Sequence, residues 1–448
     1  MIKHICGILC LVNFISLGQS IAWEGKVVAT GIFSSEEVSP FWIYTNSDTQ
    51  YGAATHFSGL GEVKATYKLS ENAALQGGTT LFFRDEVEDE FQRRDLYLQF
   101  TNTWLKATLG ARKAETALDG LSVTNKNFLF SGNSRPLGGI VLEASDPLKI
   151  SNALSVDWGI GHYALNDDRF VSDVRVHYKR LGVIANLNEN NRITARIQHY
   201  VQWAGTSPVF GELPSDFEAF VDVFFARKSP EIGVDGEIEN AVGNHLGTYF
   251  LEYSLKTEVG SFSAYHEHPF EDGSGTRLAN FPDGVWGLSF VPKKNNWIQL
   301  ALYEYIDTRD QSGSRQVIGG SDGYFGNNVY RSGWTYDGNV IGMPLILFDR
   351  SVVIDAGNSP FLSNRVQAHH FGLKGSIDPL ELTVKSTFIK QLGTFGIPLE
   401  PAISSWSNYA SIMYKTQKYG GFTLFGGLDT GELIDSTIGV GLSYDYSF

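Results

Sequence analysis

The chain ends with "TIGVGLSYDYSF", residues 437–448, whose side chains alternate in character along the backbone. An apolar or aromatic face is formed by Ile438, Val440, Leu442, Tyr444, Tyr446 and Phe448. The residues between them are Gly439, Gly441, Ser443, Asp445 and Ser447. A period of two is typical of a β-strand. A soluble edge strand with such an apolar face would invite aggregation, whereas a strand between lipid and a polar lumen requires it. The segment therefore predicts a transmembrane strand.

The same alternation recurs along the rest of the chain. In "RITARIQHYVQW", residues 192–203, Ile193, Ala195 and Ile197 share one face and face away from Thr194 and Arg196. Read in this way, the sequence predicts 18 strands. Their expected positions are 24–33, 53–69, 74–84, 92–102, 105–113, 139–148, 153–165, 172–188, 192–203, 246–258, 261–268, 284–293, 296–308, 365–376, 380–391, 406–417, 420–428 and 436–448.

Connections between these strands alternate in length. Every second connection is short, as in 70–72, 102–104, 189–191, 293–296, 378–379 and 418–420. The intervening ones are longer and include 34–52, 114–138, 204–245, 269–283, 309–364 and 392–405. Outer-membrane barrels have short periplasmic turns and long extracellular loops. We therefore predict an all-β fold, a transmembrane antiparallel β-barrel of about 18 strands.

Composition agrees with this fold and limits the domain organisation. Mean hydropathy is −0.12, and no apolar run of about 18 residues follows the N-terminus, so we expect no transmembrane helix. Residues 1–22 are predicted to be a secretory signal peptide, with Lys3, an apolar stretch at 5–18 and the small residues Ser20 and Ala22 before the cleavage site. Residues 23–448 would form the barrel. Both cysteines of the chain lie inside the predicted signal, so we expect no disulfide in the mature protein.

The net charge of −14 restricts the partners. Because no basic stripe is present to neutralise phosphates, we expect no nucleic-acid binding. An acidic polysaccharide would be repelled unless divalent cations bridge it to the protein. Outer-membrane lipid is an expected partner of the barrel wall. We expect no cofactor, metal site or catalytic residue.

Four loop regions concentrate aromatic, acidic and amide residues: 39–52, 127–139, 265–287 and 320–345. Sugar sites are concave and combine aromatic faces with a few placed polar groups. The candidate glycan-binding residues are Asp272, Asn280, Asp283, Trp286, Asn328, Tyr330, Arg331, Trp334, Tyr336 and Asp337. The alternative role of Trp286 and Trp334 is in the aromatic girdle at the membrane interface.

Two of these loops resemble the capsule assembly family known as Wzi, in its Bacteroidetes-type branch. The resemblance rests on "EDGSG" and "NFPDGVWG" within 271–287 and on "SGWTYDGNVIGMPL" at 332–345. The segments "SPFWIYTN" at 39–46 and "NRVQAHHFGLKG" at 364–375 support it. The family implies an 18-stranded outer-membrane barrel, not an enzyme, that acts as a lectin and attaches capsular polysaccharide to the cell surface. Enterobacterial relatives also carry a periplasmic helical bundle, for which this sequence has no clear helical stretch.

Other interpretations remain open at the level of sequence. A barrel of this size could be a diffusion porin, provided that its long loops leave the lumen open. An outer-membrane hydrolase would need paired carboxylates, such as Glu267 with Asp272 or Asp283, or a GxSxG motif, which is absent. The pair His266 and His268 could bind a metal, but we expect these residues to line the lumen near its external mouth.

Overall fold

The computed structural model describes residues 21–227, 242–271, 275–293, 297–311, 323–354, 359–432 and 436–448. The predicted signal peptide lies outside the described residues except for its last two positions. Eighteen antiparallel strands form one closed barrel. In chain order the strands are β1 (Ala22–Ser34), β2 (Phe57–Ser70), β3 (Ala73–Arg84), β4 (Phe91–Thr101), β5 (Leu105–Ala111), β6 (Gly138–Ala144), β7 (Leu154–Leu165), β8 (Val174–Asn186), β9 (Asn191–Trp203), β10 (Asn244–Lys256), β11 (Gly260–Phe270), β12 (Gly284–Pro292), β13 (Ile298–Asp307), β14 (Val366–Ile377), β15 (Leu380–Gly393), β16 (Pro398–Lys415), β17 (Gly421–Gly431) and β18 (Thr437–Ser447).

The barrel closes between its first and last strands. β1 pairs with β18 from Lys26↔Ser447 to Ser34↔Gly439. Gly25 and Phe448 then exchange two backbone hydrogen bonds of 2.8 and 2.9 Å. Because every strand has two paired neighbours, no edge is left open, and this is the condition for a sheet to span a membrane.

The described parts of the loops contain two short α-helices. α1 (Phe41–Tyr44) lies between β1 and β2, and α2 (Phe217–Phe225) lies between β9 and β10. Short 3-10 turns occur at Leu118–Gly120 and Gly275–Arg277. Two-stranded ribbons in the loops are Thr206–Ser207 with Gly211–Glu212, Thr335–Tyr336 with Asn339–Val340, and Leu347–Phe348 with Phe361–Ser363. No helix in the described ranges is long and apolar enough to cross a membrane.

The prediction of the strands and of the loop sidedness is confirmed, with one clear error. The expected loop 392–405 is mostly strand, because β15 extends to Gly393 and β16 begins at Pro398. Prolines usually mark the end of a strand, since they remove a ladder donor. Here Pro398 lies opposite Gly393 beside a register shift, where the missing donor is tolerated.

The inner face of β18 carries small residues because a loop packs directly against it. Loop 35–56 folds onto the inner wall, so that Pro40 lies against two glycines. A Cβ atom on Gly439 would lie 2.6 Å from Pro40 Cδ and 2.8 Å from Ile43 Cδ1, and one on Gly427 would lie 2.7 Å from Pro40 Cβ. The outward residues Ile438 and Val440 remain exposed on the lipid-facing side. The alternation in β18 thus separates lipid from a packed loop as well as from a polar lumen.

Candidate functional site

The extracellular half of the lumen is filled by a plug, formed by residues of the loops 35–56, 112–137 and 308–365. Its buried apolar side chains pack against one another and against the inner wall as one hydrophobic core. The largest fully buried members are Trp334, Tyr324, Tyr336, Phe128 and Phe325. The indole of Trp334 is 0 % exposed and donates to the Leu129 carbonyl at 2.6 Å. Loops 112–137 and 308–365 are therefore joined at the centre of the plug.

A buried carboxylate on the wall anchors loop 112–137. Glu304 of β13 accepts hydrogen bonds from the Ser122 hydroxyl at 2.6 Å, the Val123 amide at 2.8 Å and the Tyr265 hydroxyl at 2.5 Å. On β14, His370 contacts the Leu121 carbonyl through Nε2 at 2.7 Å. Both wall side chains are fully buried. Their partners are mainly groups of the loop, so these residues hold the plug in place.

A second anchor joins the rim to loop 308–365. Asp283 accepts from the Gln311 amide at 2.8 Å, the Asp310 amide at 3.1 Å and the Tyr324 hydroxyl at 3.0 Å. Asn280 donates to Tyr324 at 2.6 Å. Burial raises the pKa of Asp283 to about 7, although the three donors oppose the shift. The carboxyl group is thus a buried acceptor poised to change protonation near neutral pH.

The loop 166–173 clamps the plug from another side. Arg169 donates to the carbonyls of Thr335 and Gly333, both at 3.1 Å. The Tyr336 hydroxyl donates to Asn166 at 2.7 Å. An irregular segment needs partners for its backbone carbonyls when it is buried, and the arginine fork supplies two of them. This loop was not predicted as part of the site, although the polar run "NDDR" at 166–169 is a signal for it.

The structure separates the predicted glycan-binding residues into groups. Asn280, Asp283, Tyr330, Trp334 and Tyr336 are buried in the plug or its anchors, and a ligand outside the protein cannot touch them. Asn328 is exposed and Arg331 is half-buried at the rim. Asp272 lies outside the described residues. Residue type and spacing alone do not distinguish buried loop aromatics from exposed ones.

Two other candidates lie apart from these groups. The half-buried Asp337 pairs with Arg135 at 3.1 Å and accepts from Gln92 at 2.8 Å. Trp286 is exposed on the outer wall and stacks on His266 with ring centroids 3.8 Å apart. This position fits the aromatic girdle better than a rim site.

The expectation that His266 and His268 line the lumen is wrong. Their neighbour Tyr265 bonds Glu304 beneath the plug and therefore points inward. Since strand residues alternate, the two imidazoles point outward, where His266 meets Trp286. Among the described residues, no group of three or more His, Cys, Asp or Glu side chains is placed to hold a metal ion. The rings of His369 and His370 lie on opposite faces of β14.

Below the plug, the lumen is lined by paired charges. Arg94 contacts Glu62 at 2.8 Å, and Arg180 contacts Asp157 at 3.0 Å. A cavity of about 430 Å³ lies here, lined by Lys26, Val28, Gln50, Leu60, Glu62, Lys64, Arg94, Asp95, Tyr97, Arg112, Lys113, Ala114, Glu115 and Thr116. The barrel thus has an apolar extracellular half and a polar lower half.

Of the carboxylates considered for hydrolysis, the two that the structure describes, Glu267 and Asp283, do not form an accessible pair. Glu267 is fully buried on the inner face of β11, and Asp283 is occupied by three donors. General acid–base chemistry requires a group that can reach a substrate. The third carboxylate considered, Asp272, lies outside the described residues.

Comparison with known proteins gives similarity of structure only. No protein-family model matches the sequence, and no curated protein matches it. Among solved structures, Wzi of Escherichia coli is described as an outer membrane protein involved in group 1 capsule assembly and as a carbohydrate-binding β-barrel. It is 10% identical over 94% of this chain and 83% of that chain, with a TM-score of 0.58. OccK3 (OpdO) of Pseudomonas aeruginosa is 11% identical over 96% of each chain, with a TM-score of 0.50. With the closed 18-stranded fold, these neighbours identify the chain as a β-barrel protein of the bacterial outer membrane.

Proposed function

We propose that this barrel binds a surface polysaccharide at its extracellular rim and acts in capsule assembly, as a non-enzymatic member of the Wzi family. The observation that carries the proposal is the plug, whose apolar core fills the extracellular half of the lumen. A filled lumen favours a binding surface over a passage for solutes. The described function of the E. coli Wzi barrel and the loop motifs at 271–287 and 332–345 support the same conclusion.

The rim patch formed by Phe170, Asn328 and Arg331 is the proposed contact surface. The Arg331 guanidinium lies 5.1 Å from the centre of the Phe170 ring, and its Nε donates to the Asn328 carbonyl at 2.9 Å. Its Nη1 is buried and has no hydrogen-bond partner in the protein, so Arg331 is fixed against the Phe170 ring. An aromatic face beside a cation and an exposed amide side chain suits the apolar and hydroxyl faces of a sugar ring. Trp334 and Tyr336 would serve this surface by holding loop 308–365 in place.

Binding to purified surface polysaccharide tests the proposal. We expect the double variant Phe170→Ala/Arg331→Ala to weaken binding about tenfold or more, equivalent to about 1.4 kcal/mol. The matched control is Phe395→Ala/Arg365→Ala, a second rim pair in which the guanidinium lies 4.5 Å from the ring centre. Equal affinity of both variants and the native protein would contradict the assignment of the patch. The same binding measurement in the presence of a chelator tests whether divalent cations bridge the glycan to the protein. Such cations are needed if the glycan is acidic, because the chain has a net charge of −14.

A second candidate function is a diffusion porin, favoured by the polar cavity in the lower lumen. Planar-bilayer recording separates the two functions. Electrical silence of the native protein is expected for the binder, and steady conductance for small ions would support the porin. Loss of capsule retention on deletion of the gene, restored by the native chain but not by the Phe170/Arg331 variant, would place the binding in capsule assembly.

A further inference from the structure

The helix α2 packs on the outside of the barrel, over strands that would otherwise face lipid. In β8, Val176 and Tyr178 belong to the core of the plug, so His177 between them points outward. In β9, Tyr200 and Gln202 point inward, because the Gln202 amide donates to the Gly333 carbonyl of the plug at 3.0 Å. The outward neighbours of these residues are buried under α2.

The inner face of α2 fits this part of the wall closely. Its Ala219 and Val223 form a small hydrophobic cluster with Val201 and Trp203 of β9. The ring of Phe220 lies 5.3 Å from that of His177, 5.8 Å from Trp203 and 6.3 Å from His162. Lys179, also on the outer face of β8, donates to the Phe224 carbonyl in the last turn of the helix. A cation at this end is favourable, since the carbonyls of the last turn are otherwise unpaired.

The opposite face of α2 exposes large aromatic side chains. Phe217 is 79 % exposed and Phe225 is 62 % exposed. The Arg227 guanidinium lies 5.2 Å from the centre of the Phe225 ring. A phenyl ring next to a cation is typical of the membrane interface, where the ring enters the apolar layer and the charge reaches the headgroups.

The position of the helix along the wall also fits the interface. The outward face of β9 begins on the periplasmic side with Ile193, Ala195 and Ile197, which are not covered by the helix. The residues under α2, Val201 and Trp203, follow at the extracellular end of the same face. The exposed face of α2 is therefore continuous with the lipid-facing band at its extracellular border.

We propose that α2 is an interfacial helix that inserts Phe217 and Phe225 among the acyl chains of the outer leaflet. Its occupant is membrane lipid, and its inner face shields outward-facing histidines from that lipid. The surface is a separate feature from the proposed glycan patch, and its role does not depend on the function of that patch. Transfer of a phenylalanine ring from water into an apolar layer is favourable, so the two rings would hold α2 at the membrane.

Single-cysteine probes test the depth of the helix in vesicles. The only native cysteines, Cys6 and Cys10, are replaced by serine, and a fluorophore is attached at Phe217→Cys or Phe225→Cys. Leu251→Cys on the outer face of β10 is the lipid reference, and Val353→Cys, at a position 77 % exposed in loop 308–365, is the aqueous reference. Vesicles contain phosphatidylcholine brominated on its acyl chains, and iodide is the aqueous quencher.

We expect the probes at 217 and 225 to be quenched by the brominated lipid at least half as strongly as the probe at 251, with little quenching by iodide. Iodide quenching like that at 353 would overturn the proposal, because the helix would then lie in water. Shielding from both quenchers would also overturn it and would indicate a protein partner. The rings of Phe217 and Phe225 contact Phe220 and Phe224 of the same helix. These substitutions should therefore leave the packing of Ala219 and Val223 on the wall intact. A second measurement uses Phe217→Ser/Phe225→Ser, which should raise protease cleavage within 204–243 several-fold in vesicles, whereas Phe395→Ser should not.

Discussion

Two long extracellular loops contain many aromatic residues, yet they lie on opposite sides of the barrel wall. Loop 308–365 turns inward and buries Trp334 and Tyr336 at the centre of the lumen. The described part of loop 204–243, residues 204–227, lays α2 on the outer face of β7–β9, with Phe217 exposed. Aromatic content alone therefore does not decide whether a loop of this barrel closes the lumen or covers the wall.

The backbone conformation of each loop explains the difference. Within the described residues, loop 308–365 is largely irregular and takes hydrogen bonds from wall and loop side chains, as in Arg169 to Thr335 and Gln202 to Gly333. Such a segment cannot lie against lipid, where no partner exists for its carbonyls and amides. α2 pairs its own backbone groups, and Lys179 supplies a donor to its last turn. A helix can therefore lie on the lipid side, whereas an irregular segment at the depth of the membrane must be buried in protein.

The largest effect should come from removing the buried indole at the centre of loop 308–365. Trp334→Ala should lower the free energy of unfolding by roughly 3–5 kcal/mol, because it leaves a cavity in a close-packed core. We also expect conductance events in planar bilayers, in contrast to the silence expected of the native protein. The control is Trp104→Ala, at an exposed position in a periplasmic turn. Unchanged stability together with continued silence would show that the plug does not depend on this side chain.

The position of α2 on the outer wall can be tested by disrupting the backbone hydrogen bonds of the helix. Asp222→Pro within α2 should cost roughly 3 kcal/mol of helix stability, because it removes an internal hydrogen bond and adds a steric clash. The freed backbone groups would then be unpaired at the edge of the lipid, so the segment should leave the wall. We expect a protease cleavage rate in 204–243 at least ten times higher in vesicles, with unchanged heat-modifiable gel mobility of the barrel. Asp222→Ala keeps the helix and is the matched control. Cleavage equally fast in both variants would contradict the role given to the paired backbone.

A smaller effect is expected where the wall holds loop 112–137. Glu304→Gln keeps the shape of the side chain but loses its charge and one acceptor oxygen, so one of three donors is left without its partner. The expected cost is about 1–3 kcal/mol. Hydrogen exchange at the Val123 amide should accelerate, and exchange within α2 should not change. Glu381→Gln, at the periplasmic end where the carboxylate pairs with Lys415 at 2.6 Å, is the control. Equal protection of Val123 in all three proteins would exclude Glu304 as an anchor.

The pH dependence of the Asp283 anchor should be the most modest effect. Burial raises its pKa to about 7 in the fold, above an unfolded value near 3.9. A raised folded pKa means stability that is complete below about pH 4 and is lost progressively as the pH rises to about 7. After correction for intrinsic exchange rates, we expect the Gln311 amide to be several-fold better protected at pH 5 than at pH 8. Asp283→Asn cannot titrate and should show equal protection at both values. The opposite trend in the native protein would contradict the raised pKa.

Much of the wall could be predicted from the sequence, because the alternation that defines each strand is local. All 18 strands occur where the pattern placed them, and only the start of β16 at Pro398 differs greatly from the expected boundary. The candidate site was less predictable. Asn328 and Arg331 lie at the rim as a binding role requires, but Trp334 lies in the core of the plug and Trp286 on the outer wall. Glu304 was missed, although a lone carboxylate between Leu302 and Ile306 on one face signals a buried partner.

The sequence by itself determined that this protein is a closed barrel with lipid outside, because each strand carries its own apolar outer face in a period of two. The tertiary structure alone decided which loops fill the lumen and which lie on the outer wall. The physical reason is that a loop side chain has no fixed face until its backbone finds hydrogen-bond partners. Those partners, such as Glu304 and Gln202 inside and Lys179 outside, come from strands far away in the chain.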